Sequence, residues 1–451
     1  MARPSTTQEP AKPVDPMAHR RRGRRAAASI TLLAAVALAG RWIWTNQTPV
    51  MPHVTPYPYS AEHMVGPNAA HFYAAAADTW NKHYGGVQPE LRLAPLTDRR
   101  RVLALNKEAL HWIRVGEAYR YQGEVTRACR TDSTIPFYPQ PPNYIVVREL
   151  ARILAADASV KGIQGDKVGA LSASLDAVRY GHDFAQSDRD LLGGMVGMLA
   201  AGIGTAEAQD HVAGLDSRTA RAAIRRLETI RSEKIALPQM IQSWQRARLA
   251  RCTEEFTHPE LLLGPGILLS RLQVRLEMDA LLLRYGKQGL IDRYMASSNE
   301  AIRIAALPYQ TGKGLWNRLE PTNAYEQITN PNLTRAAQQI TSLEAREGIL
   351  LARLAVQAYR AEHAGAAPTT LDELTRGAHP YLSASPDDPF SSDGQALLRY
   401  RNGGVYSVGE NCRDEYGGGD DGDVWWRSSP AARSPQPPPS PARTHDASPT
   451  L

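Results

Sequence analysis

The sequence has few of the residues that usually define a disulfide scaffold or a metal centre. Its three cysteines, Cys129, Cys252 and Cys412, are too few for a disulfide framework, and no CxxC pair suggests zinc. A Cys129–Cys252 bridge in an oxidising compartment is one hypothesis, and separate thiols are the other. Aromatic residues make up 7% of the chain, whereas alanine is abundant, which favours closely packed helices.

Common catalytic motifs are also missing. The sequence contains no Gly-x-Ser-x-Gly elbow, no His-Glu-x-x-His pair and no Walker A loop. Glu108 with His111, and Glu255 with His258, have the Glu-x-x-His spacing of carboxylate-bridged di-iron helices. Solvated helix faces explain these pairs more simply. An exported metal enzyme is kept as an alternative to a non-catalytic protein.

Positive charge is confined to one end of the chain. The formal net charge is +6, and residues 1–50 carry eight Lys/Arg against Glu9 and Asp15. The rest of the chain therefore has no net charge. This distribution predicts no nucleic-acid-binding body.

The N-terminal segment predicts a membrane anchor. An arginine cluster precedes an apolar run from Ala26 to Gly40, and two tryptophans follow it: Arg20, Arg21, Arg22, Arg24, Arg25, Trp42 and Trp44. A helix from Ala26 to Trp44 is about 28 Å long, close to the hydrocarbon thickness of about 30 Å. The arginines predict a cytoplasmic tail (1–25), a transmembrane signal anchor (26–44) and an extracytoplasmic body, in a single-pass protein of the inner membrane. A signal peptide cleaved after Ala39 is the alternative.

The body is predicted to be mainly helical. A Pro-rich spacer (45–67) leads into an α-helical domain (68–306). A helix from Ile145 to Ala158, a turn at Gly165-Asp166 and a return helix ended by Gly181 form a hairpin that resembles a tetratricopeptide unit. The apolar run Leu191–Ile203 contains Gly193-x-x-x-Gly197. A core helix with close backbone contacts is preferred there to a second membrane span.

The C-terminal part predicts a small α+β module. A linker (307–333) precedes the module (334–426), and a Pro/Ser-rich tail (427–451) follows it. A long helix comes first, and the arms Leu397–Arg401 and Val405–Val408 then form a hairpin. The loop that follows supplies carboxylates and glycines, which calcium requires: Asp414, Asp420, Asp421 and Asp423.

Several segments of this module resemble the globular part of type II secretion major pseudopilins. They are Leu351–Arg360, Tyr381-Leu382, Asp388-Pro389-Phe390, Tyr406–Gly409 and Asp421–Val424. The resemblance implies that the aspartate-rich loop binds calcium, with Asp421 and Asp423 at the matching positions. About 290 residues separate the anchor from the module, whereas a pilin joins them directly. The resemblance therefore implies a borrowed fold on another body.

The chain as a whole resembles a group of anchored bacterial helical proteins with a pilin-like end. The residues that carry this likeness include Asn106–Leu110, Arg127–Arg130 and Gly165-Asp166. We therefore expect a non-catalytic scaffold or binding protein of the bacterial cell envelope, with membrane lipid around its anchor and an envelope protein as partner. A component associated with a type II secretion or pseudopilus-like apparatus is the first alternative.

Overall fold

The computed structural model describes the greater part of the helical body and of the C-terminal segment. The described residues are 36, 40, 47–52, 68–83, 91, 94–121, 144–186, 191–257, 268–319, 332–392, 394, 396–401, 403–415 and 424–425. Within them the protein is mainly α-helical, as the sequence predicts.

The described helices follow one another along the chain with short connections. They are α1 (Ala69–His83), α2 (Leu96–Leu105), α3 (Lys107–Gly116), α4 (Tyr144–Ile163), α5 (Lys167–Ala185), α6 (Leu191–Asp210), α7 (Ser217–Ser232), α8 (Leu237–Thr257), α9 (Leu268–Ala305), α10 (Tyr309–Lys313) and α11 (Leu333–Glu362). Two 3₁₀ turns, Trp316–Leu319 and Leu371–Thr375, flank α11. The described strands are β1 (Arg399–Arg401), β2 (Gly404–Ser407) and β3 (Val424–Trp425).

The chain divides into two compact units. The smaller one contains the described residues of 1–53, Arg251–Ala296 and Asn323–Tyr325. In it the backbone N–H of Val50 donates to Gln288 Oε1 at 2.7 Å, and Cys252 Sγ lies 3.9 Å from Met51 Sδ. The larger unit contains α1 to α7, α10, α11 and the strands, and the following paragraphs concern it alone.

Helices α4 and α5 form the hairpin that the sequence predicts. Gly165 turns the chain with a φ of 87°, which favours glycine, and the side chain of Asp166 caps α5 by accepting from the N–H of Gly169 at 2.8 Å. The predicted end of α5 at Gly181 is wrong, because the helix continues to Ala185. Gly181 lies inside the helix, where its missing side chain lets α6 approach.

Helix α6 packs against α5 in backbone contact. A Cβ on Gly181 would lie 2.2 Å from the backbone N of Ala201, and one on Gly197 would lie 2.4 Å from the N of Ala185. A Cβ on Gly204 would lie 2.6 Å from the N of Val178. Among the described helices, α6 alone is long and apolar enough to cross a membrane, and 61% of its most apolar window is buried. The glycines fit the preferred interpretation of a core helix.

Helix α11 shares one core with the helical hairpins and the strands. Ile224, Leu350 and Val405, from α7, α11 and β2, belong to the same buried cluster. The strands form an antiparallel sheet of order β1-β2-β3, with Tyr400 opposite Val405 and Tyr406 opposite Trp425. The sequence did not anticipate that the helical body and the C-terminal segment share this core.

The buried carboxylate of Asp388 ties the loop before β1 to the end of β2. Its Oδ1 accepts from the N–H of Phe390 at 3.1 Å and from the hydroxyl of Ser407 at 2.6 Å. Its Oδ2 accepts from the N–H of Val408 at 2.9 Å. A buried carboxylate with three donors is well satisfied, so the Asp388-Pro389-Phe390 run has a structural role.

Candidate binding groove

A groove with a volume of about 900 Å³ opens on the larger unit. Residues of α4, α6 and α11 form its walls, and Leu91 also lines it. The volume lies in the range of pockets that bind small molecules or parts of larger partners. The following paragraphs describe its walls and then the buried groups behind them.

The wall from α6 is apolar. Its glycines face α5, so the opposite side of the helix points into the groove with Met198, Leu199 and Ile203. Leu199 is 54% exposed, and Leu192, two turns earlier on the same face, is 53% exposed. Large aliphatic side chains with this exposure on one stripe of a helix are typical of an interaction surface.

The wall from α11 is polar and cationic. Arg335, Gln338, Gln339, Ser342 and Arg346 line it. The two arginines are exposed, and neither side chain forms an ion pair or a hydrogen bond within the described part of the chain. Eleven residues of a helix make about three turns and span about 16 Å, so both arginines lie on one face. This wall therefore offers two separated positive charges.

The other charged residues of the groove have partners. Arg152 of α4 donates to Glu149 Oε1 at 2.8 Å, and Arg148 lies 3.2 Å from the same oxygen. Glu207 of α6 lies 3.2 Å from Nε2 of His211. The charge that remains available to a ligand is therefore positive and belongs to α11.

A buried ion pair lies on the inner face of α11, behind the groove. Oε1 of Glu347 is 2.6 Å from Nε2 of His182 on α5, and both side chains are almost fully buried. Burial alone would raise the pKa of Glu347. The interactions with His182, Arg231 and Lys234 outweigh it, and the pKa is lowered. Glu347 is therefore held as a carboxylate that locks α11 onto α5.

A second buried network joins α1 and α5. The hydroxyl of Tyr73 donates to Asp183 Oδ2 at 2.7 Å, and Arg179 Nε lies 2.9 Å from Asp183 Oδ1. Arg179 also pairs with Glu233 beyond the end of α7. Burial raises the pKa of Asp183 despite the Arg179 charge, and burial with the Asp183 charge raises the pKa of Tyr73. These groups hold helices together where water is largely excluded.

The same network extends to α3 and α7. Arg226 lies 2.8 Å from both Glu117 Oε2 and Asp176 Oδ1, and Arg114 lies 3.3 Å from Asp176 Oδ2. Burial, reinforced by the charge of Asp176, raises the pKa of Glu117 to about 8, although Arg226 favours the ionised form. Two carboxylates thus share one guanidinium, and Glu117 takes up a proton near neutral pH.

The predicted calcium ligands are only partly within the described residues. Asp414 lies there, and its Oδ1 accepts from the hydroxyl of Tyr406 at 3.1 Å while its Oδ2 is 3.4 Å from Arg399 Nε. A guanidinium at this distance competes with a cation for the carboxylate. Asp420, Asp421 and Asp423 lie outside the described residues. The calcium hypothesis therefore depends on these three aspartates.

The predicted anchor and its flanks lie almost entirely outside the described residues. This applies to Arg20, Arg21, Arg22, Arg24, Arg25, Trp42 and Trp44. Cys129 also lies outside, so its pairing with Cys252 stays a prediction.

The Glu-x-x-His pairs are not brought together in the described structure. Glu108 and His111 are exposed on α3, and Glu108 Oε1 accepts a long hydrogen bond of 3.4 Å from Trp112. The Glu255 side chain and His258 lie outside the description. No three His, Cys, Asp or Glu side chains among the described residues are grouped as metal ligands.

The sequence analysis missed Arg335 and Arg346. Their spacing of eleven residues on the polar face of a predicted helix was the available signal. It was insufficient because the groove exists only once α6 lies beside α11, which is a tertiary contact. The buried partners of Glu347 and Glu117 were missed for the same reason.

Comparisons with protein-family models, with curated proteins and with solved structures give no match for this chain.

Proposed function

We propose that the protein is a membrane-anchored, extracytoplasmic scaffold or binding protein of the bacterial cell envelope, and that the α4–α6–α11 groove holds its partner. The observation that carries this proposal is the pairing of exposed leucines on α6 with unpaired arginines on α11. A wall of buried leucines or of paired arginines would serve only the fold. The buried networks hold the helices, so the groove presents a preformed surface.

The location in this proposal comes from the N-terminal sequence. The arginines from Arg20 to Arg25 stay in the cytoplasm, the segment 26–44 crosses the inner membrane, and the body lies outside. A reporter fusion tests it. Alkaline phosphatase joined after Trp426 is active only outside the cytoplasm, so we expect activity there and none for β-galactosidase at the same site. The reverse result would overturn the proposed location.

The binding role has its own test in intact cells. A photo-cross-linking amino acid at position 199 should capture a partner. The matched control is position 168, because Val168 is 55% exposed and does not line the groove. The adduct must then be reproduced between the purified chain and the purified partner. Equal capture at the two positions, or failure with purified components, would contradict the role of the groove.

A secretion-associated role is the second candidate. The long helix α11 packs against β2 and β3, and Asp388 closes the loop before the hairpin, an arrangement that favours a pseudopilin-like module. A complex with type II secretion proteins, recovered only while the module is present, would support this role. We find no observation that favours the alternative metal enzyme.

Calcium binding belongs to the same proposal. Asp420, Asp421 and Asp423 would hold the ion and pin the loop to the sheet. Calcium should raise the melting temperature of the natural protein, and the Asp421→Ala/Asp423→Ala variant should lose this response. Asp414→Ala is the matched control and should keep it, because Asp414 already pairs with Arg399. An equal response in the double variant would refute the calcium site.

A further inference from the structure

We propose that the groove recognises an acidic amphipathic helix of a partner protein, with the apolar face of that helix on α6 and its carboxylates on Arg335 and Arg346. This inference rests on the proposed binding role and names the chemical class of the partner.

The two walls run side by side. A methyl group on Gly202 would lie 3.8 Å from Leu343 Cδ1, and the side-chain nitrogen of Gln209 donates to the carbonyl of Arg346 at 3.3 Å. Gln209 also contacts Arg353. Increasing residue numbers on α6 therefore match increasing numbers on α11. The apolar stripe and the arginine row thus flank the groove along its length.

The spacing of the arginines favours an elongated ligand. Arg335 and Arg346 are about 16 Å apart along the helix axis. A single carboxylate or phosphate can approach only one of them at hydrogen-bond distance. A helix of three to four turns with glutamates or aspartates at both ends of one face can reach both. A compact anion would leave one guanidinium without a partner.

The spacing of the apolar residues fits the same ligand. Leu192, Leu199 and Ala206 recur every seven residues, so they form one stripe of about 21 Å on α6. Helix-in-groove complexes use such stripes with anchors at every third, fourth or seventh position of the ligand. The ligand's apolar face covers this stripe, and its acidic edge faces α11.

The charge of the groove excludes a basic helix. Arg152 is paired with Glu149, and Glu207 contacts His211, so the arginines of α11 set the sign of the open face. A lysine-rich helix with an identical apolar face would meet like charges on α11. Charge complementarity therefore predicts a preference that a purely hydrophobic groove would lack.

Two synthetic helices test this preference on the full chain. Both have about 18 residues and the same leucine face, and they carry either glutamate or lysine along the flanking edge. Fluorescence anisotropy should show saturable binding of the acidic peptide, about tenfold or more tighter than the basic one, and weakening as salt increases. Equal affinities, or a preference for the lysine peptide, would overturn the inference.

Charge reversal gives the sharper control. The Arg335→Glu/Arg346→Glu variant should bind the acidic peptide about tenfold more weakly or worse, and it should gain affinity for the lysine peptide. Arg225→Glu is the matched control, because Arg225 is exposed on α7 and lies away from the groove. It should leave both affinities unchanged. A general loss of folding cannot produce the gain for the lysine peptide.

Other occupants give different results. Laurate or inorganic phosphate that saturates the groove, while the acidic peptide fails to bind, would indicate a small anionic ligand and refute the helix. If the two peptides bind alike while position 199 still cross-links a purified partner, this inference fails and the proposed function stands. If neither peptide binds and no adduct forms at position 199, both fail.

Discussion

Helices α6 and α11 have opposite faces with very different chemistry. On their inner faces, glycines of α6 contact the backbone of α5, and Glu347 of α11 pairs with His182 at 2.6 Å. On their outer faces, Leu199 is exposed and Arg335 and Arg346 have no partner among the described side chains. The same two helices thus satisfy the fold on one side and leave hydrophobic area and charge unused on the other. This difference is why we assign recognition to the groove.

The Glu347 pair should show the largest effect, because it lies on the inner face. Glu347→Ala leaves His182 and Arg231 without their buried partner, and such losses cost about 3–5 kcal/mol. Urea unfolding measures the change. Glu344→Ala is the control, since the half-buried Glu344 pairs only with Lys234 and should cost at most about 1 kcal/mol. Equal costs for the two variants would break the distinction between the faces.

Two glycines of α6 should respond with opposite signs. A Cβ on Gly197 would lie 2.4 Å from the backbone N of Ala185, so Gly197→Ala should destabilise by about 1–3 kcal/mol. A Cβ on Gly202 would meet only Leu343 at 3.8 Å, so Gly202→Ala should stabilise by up to about 1 kcal/mol through helix propensity. Denaturant midpoints of the two variants give the signs. A destabilising Gly202→Ala would mean that the outer face is packed.

The buried carboxylate of Glu117 should make stability depend on pH. Its pKa is raised to about 8 in the folded protein, so the folded state holds a proton that the unfolded state releases near pH 4.5. Stability is therefore lost as pH rises between these values, by up to about 1.4 kcal/mol per pH unit. Glu117→Gln should flatten this slope and be more stable than the natural protein at pH 8. A slope that the variant keeps would show that Glu117 is not its source.

The smallest change in stability is expected on the outer face. Arg335→Glu/Arg346→Glu breaks no described ion pair, so its free energy of unfolding should stay within about 0.5 kcal/mol of the natural value. A thermal melt checks this before any binding measurement. A loss of several kcal/mol would mean that these arginines support the fold, and the contrast between the faces would disappear.

The sequence predicted the local elements well. The α4–α5 hairpin with its Gly165 turn, the core position of α6 and the antiparallel arms around Gly403 all follow from helical or alternating patterns with nearby turn residues. Strand ends were less certain, since β1 begins at Arg399 and β2 ends at Ser407, inside the predicted arms. Local patterns contain enough information for these elements because neighbouring residues determine them.

The sequence did not predict the candidate site. Glu347 and His182 are 165 positions apart, and nothing near either residue in the chain marks the other as its partner. Gly181 looked like a helix terminator because the contact with Ala201 that explains it lies on another helix. The groove has the same origin, since its walls come from three separate helices. Tertiary contacts decide all three features.

The central claim is that the outer face of α6 is open in the folded protein, and the reactivity of a thiol at position 199 tests it most directly. Leu199→Cys is placed in a chain with Cys129→Ser, Cys412→Ser and Cys252→Ala, and maleimide labelling is followed under native conditions. Because Leu199 and Val168 have nearly equal exposure, we expect Leu199→Cys to react as fast as Val168→Cys, and the acidic peptide to slow only the reaction at position 199. A thiol at position 199 that reacts only after unfolding would show that the chain itself covers the groove, and would contradict the account.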